Sequence, residues 1–129
     1  MPKRTTVAAL TDIREAIDRI QRYVSGLTVD DFLNSTEKQD AVIRNFEIMG
    51  EAVRYIPSDF RKRHGHVEWT EMAGFRDKLI HGYFGLNLRI LWSVVEDKLP
   101  ALRQQVDALL ELHRRPSADA GGVDDKTPA

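Results

Sequence analysis

Apolar residues recur at steps of three and four along nearly the whole chain, so helices are predicted almost throughout. Val7, Leu10, Ile13, Ile17, Ile20 and Val24 share one face, as the 3.6-residue helical period requires. Thr5 or Thr6 stands where an N-cap belongs, and Gly26 where such a helix stops. In TVDDFLN, Thr28 and Asp31 have the spacing of a capping box, which predicts a short helix. A long helix is predicted from Ser35 to Ile56 on the stripe Val42, Phe46, Met49, Val53 and Ile56. Pro57 ends it, because proline disfavours helical geometry in the residue before it. Ser58 is placed to cap a short basic turn, DFRKRHG, closed by Gly65. Trp69, Met72, Phe75, Leu79 and Ile80 predict a third main helix over Trp69 to Ile80. Asn87 can cap the next, with Leu88, Leu91, Trp92, Val95 and Leu99; Pro100 kinks or splits it. Leu102, Val106, Leu109 and Leu112 carry the stripe to about Arg115.

No strand-like alternation and no internal repeat interrupts this pattern. The expected fold is therefore all-α, an antiparallel bundle of four to five helices with short extra helices. It occupies residues 1–115, and the remainder, PSADAGGVDDKTPA at 116–129, is expected to be a disordered acidic tail. Leu10, Ile43, Ile48 and Leu110 widen the apolar faces beyond a single narrow stripe. They leave room for a helix face buried against a second copy, so a homodimer is expected.

Composition narrows the function. Apolar residues make up 42% and charged residues 30%, the balance of a water-soluble domain. Nineteen Lys and Arg against 20 Asp and Glu do not mark a general nucleic-acid binder. The tail carries a net −2, which leaves +1 for residues 1–115, so any RNA affinity must come from a local patch or an assembly. There is no cysteine, which excludes disulfides and thiolate metal sites. The sequence contains no apolar run long enough to span a membrane. The N-terminal MPKRTTVAALTDIREAI has no apolar signal core. A cytoplasmic location without membrane association is expected. The sequence has no Gly-rich phosphate loop, and no cofactor is expected.

The densest chemistry lies in RDKLIHGYFG, Arg76 to Gly85. On an unbroken helix Arg76 and Tyr83 would point about 20° apart and Arg76 and His81 about 140° apart. Gly82 is placed to end the helix, which would leave His81 in the last turn and Tyr83 in the following loop. Such a trio suits phosphodiester chemistry without a metal. Histidine moves protons near neutral pH, and the arginine fork matches phosphate oxygens and can stabilise a phosphorane. Tyrosine can position a phosphate or stack on a base. A plainer account is also open on spacing alone. A helix C-terminus favours histidine through its dipole, Arg76 can pair with Asp77 or Glu71, and Tyr83 and Phe84 can be core aromatics.

Elsewhere, Arg44, Asn45 and Glu47 lie together on the second long helix, and Glu47 and Glu51 are i, i+4 neighbours. Arg61, Lys62 and Arg63 in RKRHGH form the most basic window and can hold RNA backbone. His64 and His66 lack a cysteine or third ligand nearby, so no metal site is expected. Trp69 and Trp92 fall on apolar stripes, and Gly74 is read as a close-packing position.

The R-x4-H-x-Y pattern, RDKLIHGY, on the third long helix of an all-α domain resembles the HEPN superfamily, and within it the HepT toxins of HepT/MntA toxin–antitoxin modules. DIREAIDRIQRYVSGLTVDDFL, DAVIRNFEIMGEAVRYIP and VEWTEMAGFRDKLIHGYFGLNLRILWSVVEDKLPAL extend the likeness over about residues 7–115. The resemblance implies a dimer of helical bundles and a metal-independent endoribonuclease acting on RNA, with Arg76 and His81 catalytic. It implies that Arg44, Asn45 and Glu47 form a polar wall positioning Arg76 or RNA, and gives Glu51 no such part. It also implies a partner, an MntA-like nucleotidyltransferase antitoxin that uses ATP to adenylylate Tyr83. The alternative is a non-catalytic nucleotide- or protein-binding helical subunit that partners a nucleotidyltransferase.

Overall fold

A computed structural model describes residues 4–81 and 87–114, apart from the side chains of 79–81. The expected tail at 116–129, Tyr83 and the turn at Gly82 lie outside the described residues. Among those described, seven helices and no strand are found. They are α1 (Thr6–Val24), α2 (Val29–Leu33), α3 (Thr36–Val53), α4 (Ser58–Arg63), α5 (Trp69–His81), α6 (Leu88–Asp97) and α7 (Leu99–Arg114).

Most helix ends follow the chemistry expected of them. Thr5 caps α1, its hydroxyl accepting from the Ala8 N–H at 3.0 Å. Gly26, just beyond α1, takes a φ of 78°, a conformation that glycine reaches without a Cβ penalty. Thr28 and Asp31 close both bonds of the capping box. Asn87 accepts from two backbone N–H groups at the start of α6. Pro100 sits in the first turn of α7, where its missing N–H costs no intrahelical bond, and the chain is split at Lys98.

Two ends differ from expectation. The helix α3 stops at Val53 rather than Ile56. The Tyr55 and Ile56 N–H groups donate to Ala52 and Val53, three residues back. Pro57 cannot donate, and its ring pushes Ile56 out of helical geometry, so the last turn tightens instead of propagating. Ser58 does not cap α4. It is that helix's first residue, Pro57 holds the cap position, and no side-chain cap bond forms.

Two ion pairs orient α1 against α7. Arg14 meets Asp107 at 2.5 Å and Asp18 meets Arg103 at 3.1 Å. Numbering that rises on one helix as it falls on the other makes the two antiparallel. The core gathers Ile13, Ile17 and Ile20 of α1, Phe46 and Met49 of α3, and Val106 and Leu109 of α7. Leu10 and Ile43, which widen the apolar faces, are also buried in this core. They therefore offer nothing to a second copy, whereas Ile48 and Leu110 are partly buried against the core. Among the described residues, the exposed large apolar side chains are Val7, Tyr55, Ile90 and Leu112.

Candidate active site

The helix α5 is anchored at its start and pressed against α3 along its length. Trp69 is buried, and its indole N–H donates to the His64 carbonyl at 3.0 Å. Phe75 meets Phe46 edge to face at 5.1 Å between ring centroids. The closest approach is at Gly50 of α3. A Cβ there would overlap the Cβ of Arg76 and come within 2.9 Å of the Met72 carbonyl oxygen. Gly74 does not serve the close-packing role read from the sequence, since a Cβ built on it meets nothing within 4 Å.

This contact sets Arg76 beside α3. Its Nη2 lies 3.1 Å from Oε1 of Glu51, and its Nη1 donates to Asp77 at 3.2 Å. Of the two alternative carboxylates the sequence offered Arg76, Asp77 is the one found beside it. The same Glu51 oxygen lies 3.4 Å from Arg54. Arg44 and Glu47 form a longer pair at 3.8 Å. Arg44, Glu47, Glu51, Arg54, Tyr55 and Arg76 line a groove of about 500 Å³, with Arg4 and Asp12 at its α1 side. A guanidinium has five N–H donors, so Arg76 retains donors for a phosphate while two carboxylates fix its plane.

The structure divides the expected polar wall. Arg44 and Glu47 line the groove, but Asn45 is buried and faces α1. Its amide donates to the Ala41 carbonyl at 2.9 Å and accepts from Arg19 at 3.2 Å. The basic window also stands apart. Arg61 donates to the Ile56 carbonyl at 3.1 Å, and Arg63 pairs with Asp59 at 3.3 Å. Arg61 and Lys62 border a different depression, which shares no lining residue with the groove at Arg76. His81 ends α5, its side chain outside the described residues. The α5 backbone is unbroken from Arg76 to His81, so these positions lie about 140° apart around the axis and about 7.5 Å apart along it.

Glu51, Arg54, Tyr55 and Gly50 were missing from the sequence reading of this site. Glu51 was visible as the i, i+4 neighbour of Glu47, but such pairs are ordinary on solvated helix faces. Nothing in the sequence marked which carboxylate would meet Arg76.

The other histidines, His64, His66 and His113, do not line the groove. The rings of His64 and Phe60 have centroids 4.5 Å apart, His113 approaches Phe60 at 5.6 Å, and His66 lies 6.2 Å from His64. Burial lowers the His64 pKa below its ordinary value, and the charges of Arg63, His66 and His113 lower it further. Among the described residues, no group of three His, Cys, Asp or Glu could hold a metal ion. Also among them, no helix is long and apolar enough to cross a membrane.

Comparison with known proteins places this sequence in a family. The model described as "Ribonuclease HepT-like" matches residues 13–109. The chain is 44% identical over 107 residues to "Probable ribonuclease HepT" of Thermococcus cleftensis, covering 83% of this chain and 97% of that one. It is 40% identical over 111 residues to "Putative RNase MJ0127" of Methanocaldococcus jannaschii, covering 86% and 92%. It is 44% identical over 102 residues to "Putative RNase TTE0752" of Caldanaerobacter subterraneus, covering 79% and 91%. No solved structure gives a significant match. The chain belongs to the ribonuclease HepT-like family.

Proposed function

We propose that this protein is a metal-independent endoribonuclease, the toxin of a toxin–antitoxin module, with Arg76 and His81 as its catalytic pair. The observation that carries the reading is Arg76, a guanidinium fixed at a groove wall by Glu51 and Asp77 on the helix that ends at His81. His81 takes the proton from the ribose 2′-hydroxyl or returns one to the leaving 5′-oxygen. Arg76 stabilises the charge on the phosphorane between these steps. The angular separation of the two positions on one helix supports a homodimer, in which a second copy brings another pair to the same cleft. Transfer of an adenylyl group from ATP to the Tyr83 phenol by a nucleotidyltransferase antitoxin, with pyrophosphate leaving, would set a phosphate in competition with RNA for Arg76.

The test is cleavage of single-stranded RNA by the purified dimer in excess chelator. Activity should persist in the parent and disappear in Arg76→Ala and His81→Ala variants with parental circular dichroism. Equal cleavage by both folded variants would sink the reading. One observation favours the non-catalytic alternative. Arg4, Arg44, Arg54 and Arg76 each have a carboxylate within 4 Å, so the described residues of the groove carry a net charge of only +1, a weak draw on a polyanion. On that alternative, the protein would bind the nucleotidyltransferase and accept adenylate on Tyr83, yet leave RNA intact before modification.

A further inference from the structure

We propose that the groove beside Arg76 is a nucleotide subsite for single-stranded RNA, with the Tyr55 ring stacking on a base while Arg44 and Arg54 hold the flanking phosphates. This rests on the ribonuclease reading and names the part of the chain that would seat the strand next to the scissile bond.

Tyr55 stands out among the aromatic residues described. It is 46% exposed, whereas Phe32, Phe46, Phe60 and Trp69 are all buried. It is nonetheless rigidly placed. Its own N–H is bonded to Ala52, and the next residue, Ile56, is buried and bonded to Val53. The Ile56 carbonyl is held in turn by Arg61. A fixed backbone presenting an exposed ring into a groove is what a stacking platform needs, and stacking accepts any base.

The arginines differ in how firmly they are held. The side chains of Arg44 and Arg54 are 70% and 63% exposed, and their carboxylate partners lie at 3.8 and 3.4 Å. Such exposed pairs contribute only about 0–1 kcal/mol, so exchanging a carboxylate for a phosphate costs little. Arg61 is committed to a backbone carbonyl, and Arg63 lies over the Phe60 ring while pairing with Asp59. Arg61 of the most basic window is thus less free to bind than the two separated arginines of the groove. A volume of about 500 Å³ lies in the range that seats a ligand of nucleotide size. A protein segment fits this lining less well, because Ile48 and Ala52 are the only aliphatic residues among those described in it.

Among the described residues, four arginines against Asp12, Glu47 and Glu51 leave the groove with a net charge of +1. The subsite therefore works at contact range, and its salt dependence should be shallow. Two phosphate contacts predict a slope of log affinity against log salt of about −1.4.

The experiment measures cleavage of a single-stranded RNA of about 12 nucleotides, and its binding by fluorescence anisotropy. It uses full-length parent, Tyr55→Ala, Tyr55→Phe, Arg54→Ala and Arg44→Ala. Tyr55→Ala should raise KM and Kd about tenfold with kcat little changed, and Tyr55→Phe should stay near the parent. Each arginine variant should weaken binding and reduce the salt slope by about 0.7. Parental KM and Kd in Tyr55→Ala, with Arg76→Ala inactive, would overturn the subsite and leave the ribonuclease reading standing. Binding that depends on Tyr55 without any cleavage by the parent would leave an RNA-binding groove but overturn its place beside a scissile bond, together with the ribonuclease reading. Unchanged RNA affinity with lost nucleotidyltransferase binding in Tyr55→Ala would overturn the subsite and mark a protein-binding surface instead.

Discussion

Glu51 and Arg76 meet at 3.1 Å across the contact between α3 and α5, and Gly50, one residue before Glu51, is what lets the helices come this close. Packing and chemistry are joined here. A side chain at Gly50 would push α5 away, and the guanidinium would leave its carboxylate.

Gly50→Ala should therefore destabilise the fold although alanine is the better helix former. Overpacking costs about 1–3 kcal/mol, against about 1 kcal/mol gained in helix propensity. Gly74→Ala is the control, since its Cβ meets nothing within 4 Å, and it should raise stability by up to about 1 kcal/mol. Urea unfolding of both variants separates the two effects. Equal midpoint shifts for Gly50 and Gly74 would show that the close contact carries no weight.

Glu51→Gln keeps the shape of the side chain and removes its charge. Arg76 would lose the partner on α3 that fixes its orientation, while Asp77 would remain. The expected result is a fall in kcat of roughly tenfold to a hundredfold, the scale of a misplaced catalytic group. KM for RNA should stay level or drop, because a carboxylate that competes with phosphate has gone. Glu51→Asp should recover part of kcat. A variant that lost KM alone would make Glu51 a binding contact rather than a positioning residue.

The helices were legible because their information is local. Apolar spacing, the Thr28–Asp31 capping box, the Asn87 cap and the break before Pro100 are each written within a few residues of where they act. The R-x4-H-x-Y motif was legible in the same way. The α3 partner of Arg76 was not, because Glu51 lies on another helix and only the approach at Gly50 brings the two together. Adjacency also misled at Arg44, Asn45 and Glu47. Successive positions turn by about 100°, so Asn45 faces α1 while its neighbours line the groove.

That split predicts opposite phenotypes. Asn45→Ala removes a buried amide that bridges the Ala41 carbonyl and Arg19, and should cost about 1–3 kcal/mol of stability. Specific activity of the folded fraction should be little altered. Arg44→Ala, at an exposed site, should change stability by less than about 0.5 kcal/mol and act on RNA binding. Thermal melts beside initial cleavage rates test both. Loss of activity without loss of stability in Asn45→Ala would return that residue to the site.

The histidine cluster predicts an acid-sensitive end of the bundle. His64 is partly buried, its ring 4.5 Å from that of Phe60, with Arg63, His66 and His113 as the charges that oppose its protonation. Its folded pKa is lowered, so the unfolded chain takes up the proton first. Well above the ordinary histidine pKa of about 6.5 the group is neutral in both states and contributes nothing to pH dependence. As pH falls below that value the unfolded state binds more protons, and stability declines until the lowered folded pKa is passed. The urea midpoint should therefore drop between pH 7.5 and pH 5.5, and His64→Gln should flatten that drop while keeping a neutral polar side chain. The same decline in parent and variant would move the acid sensitivity away from His64.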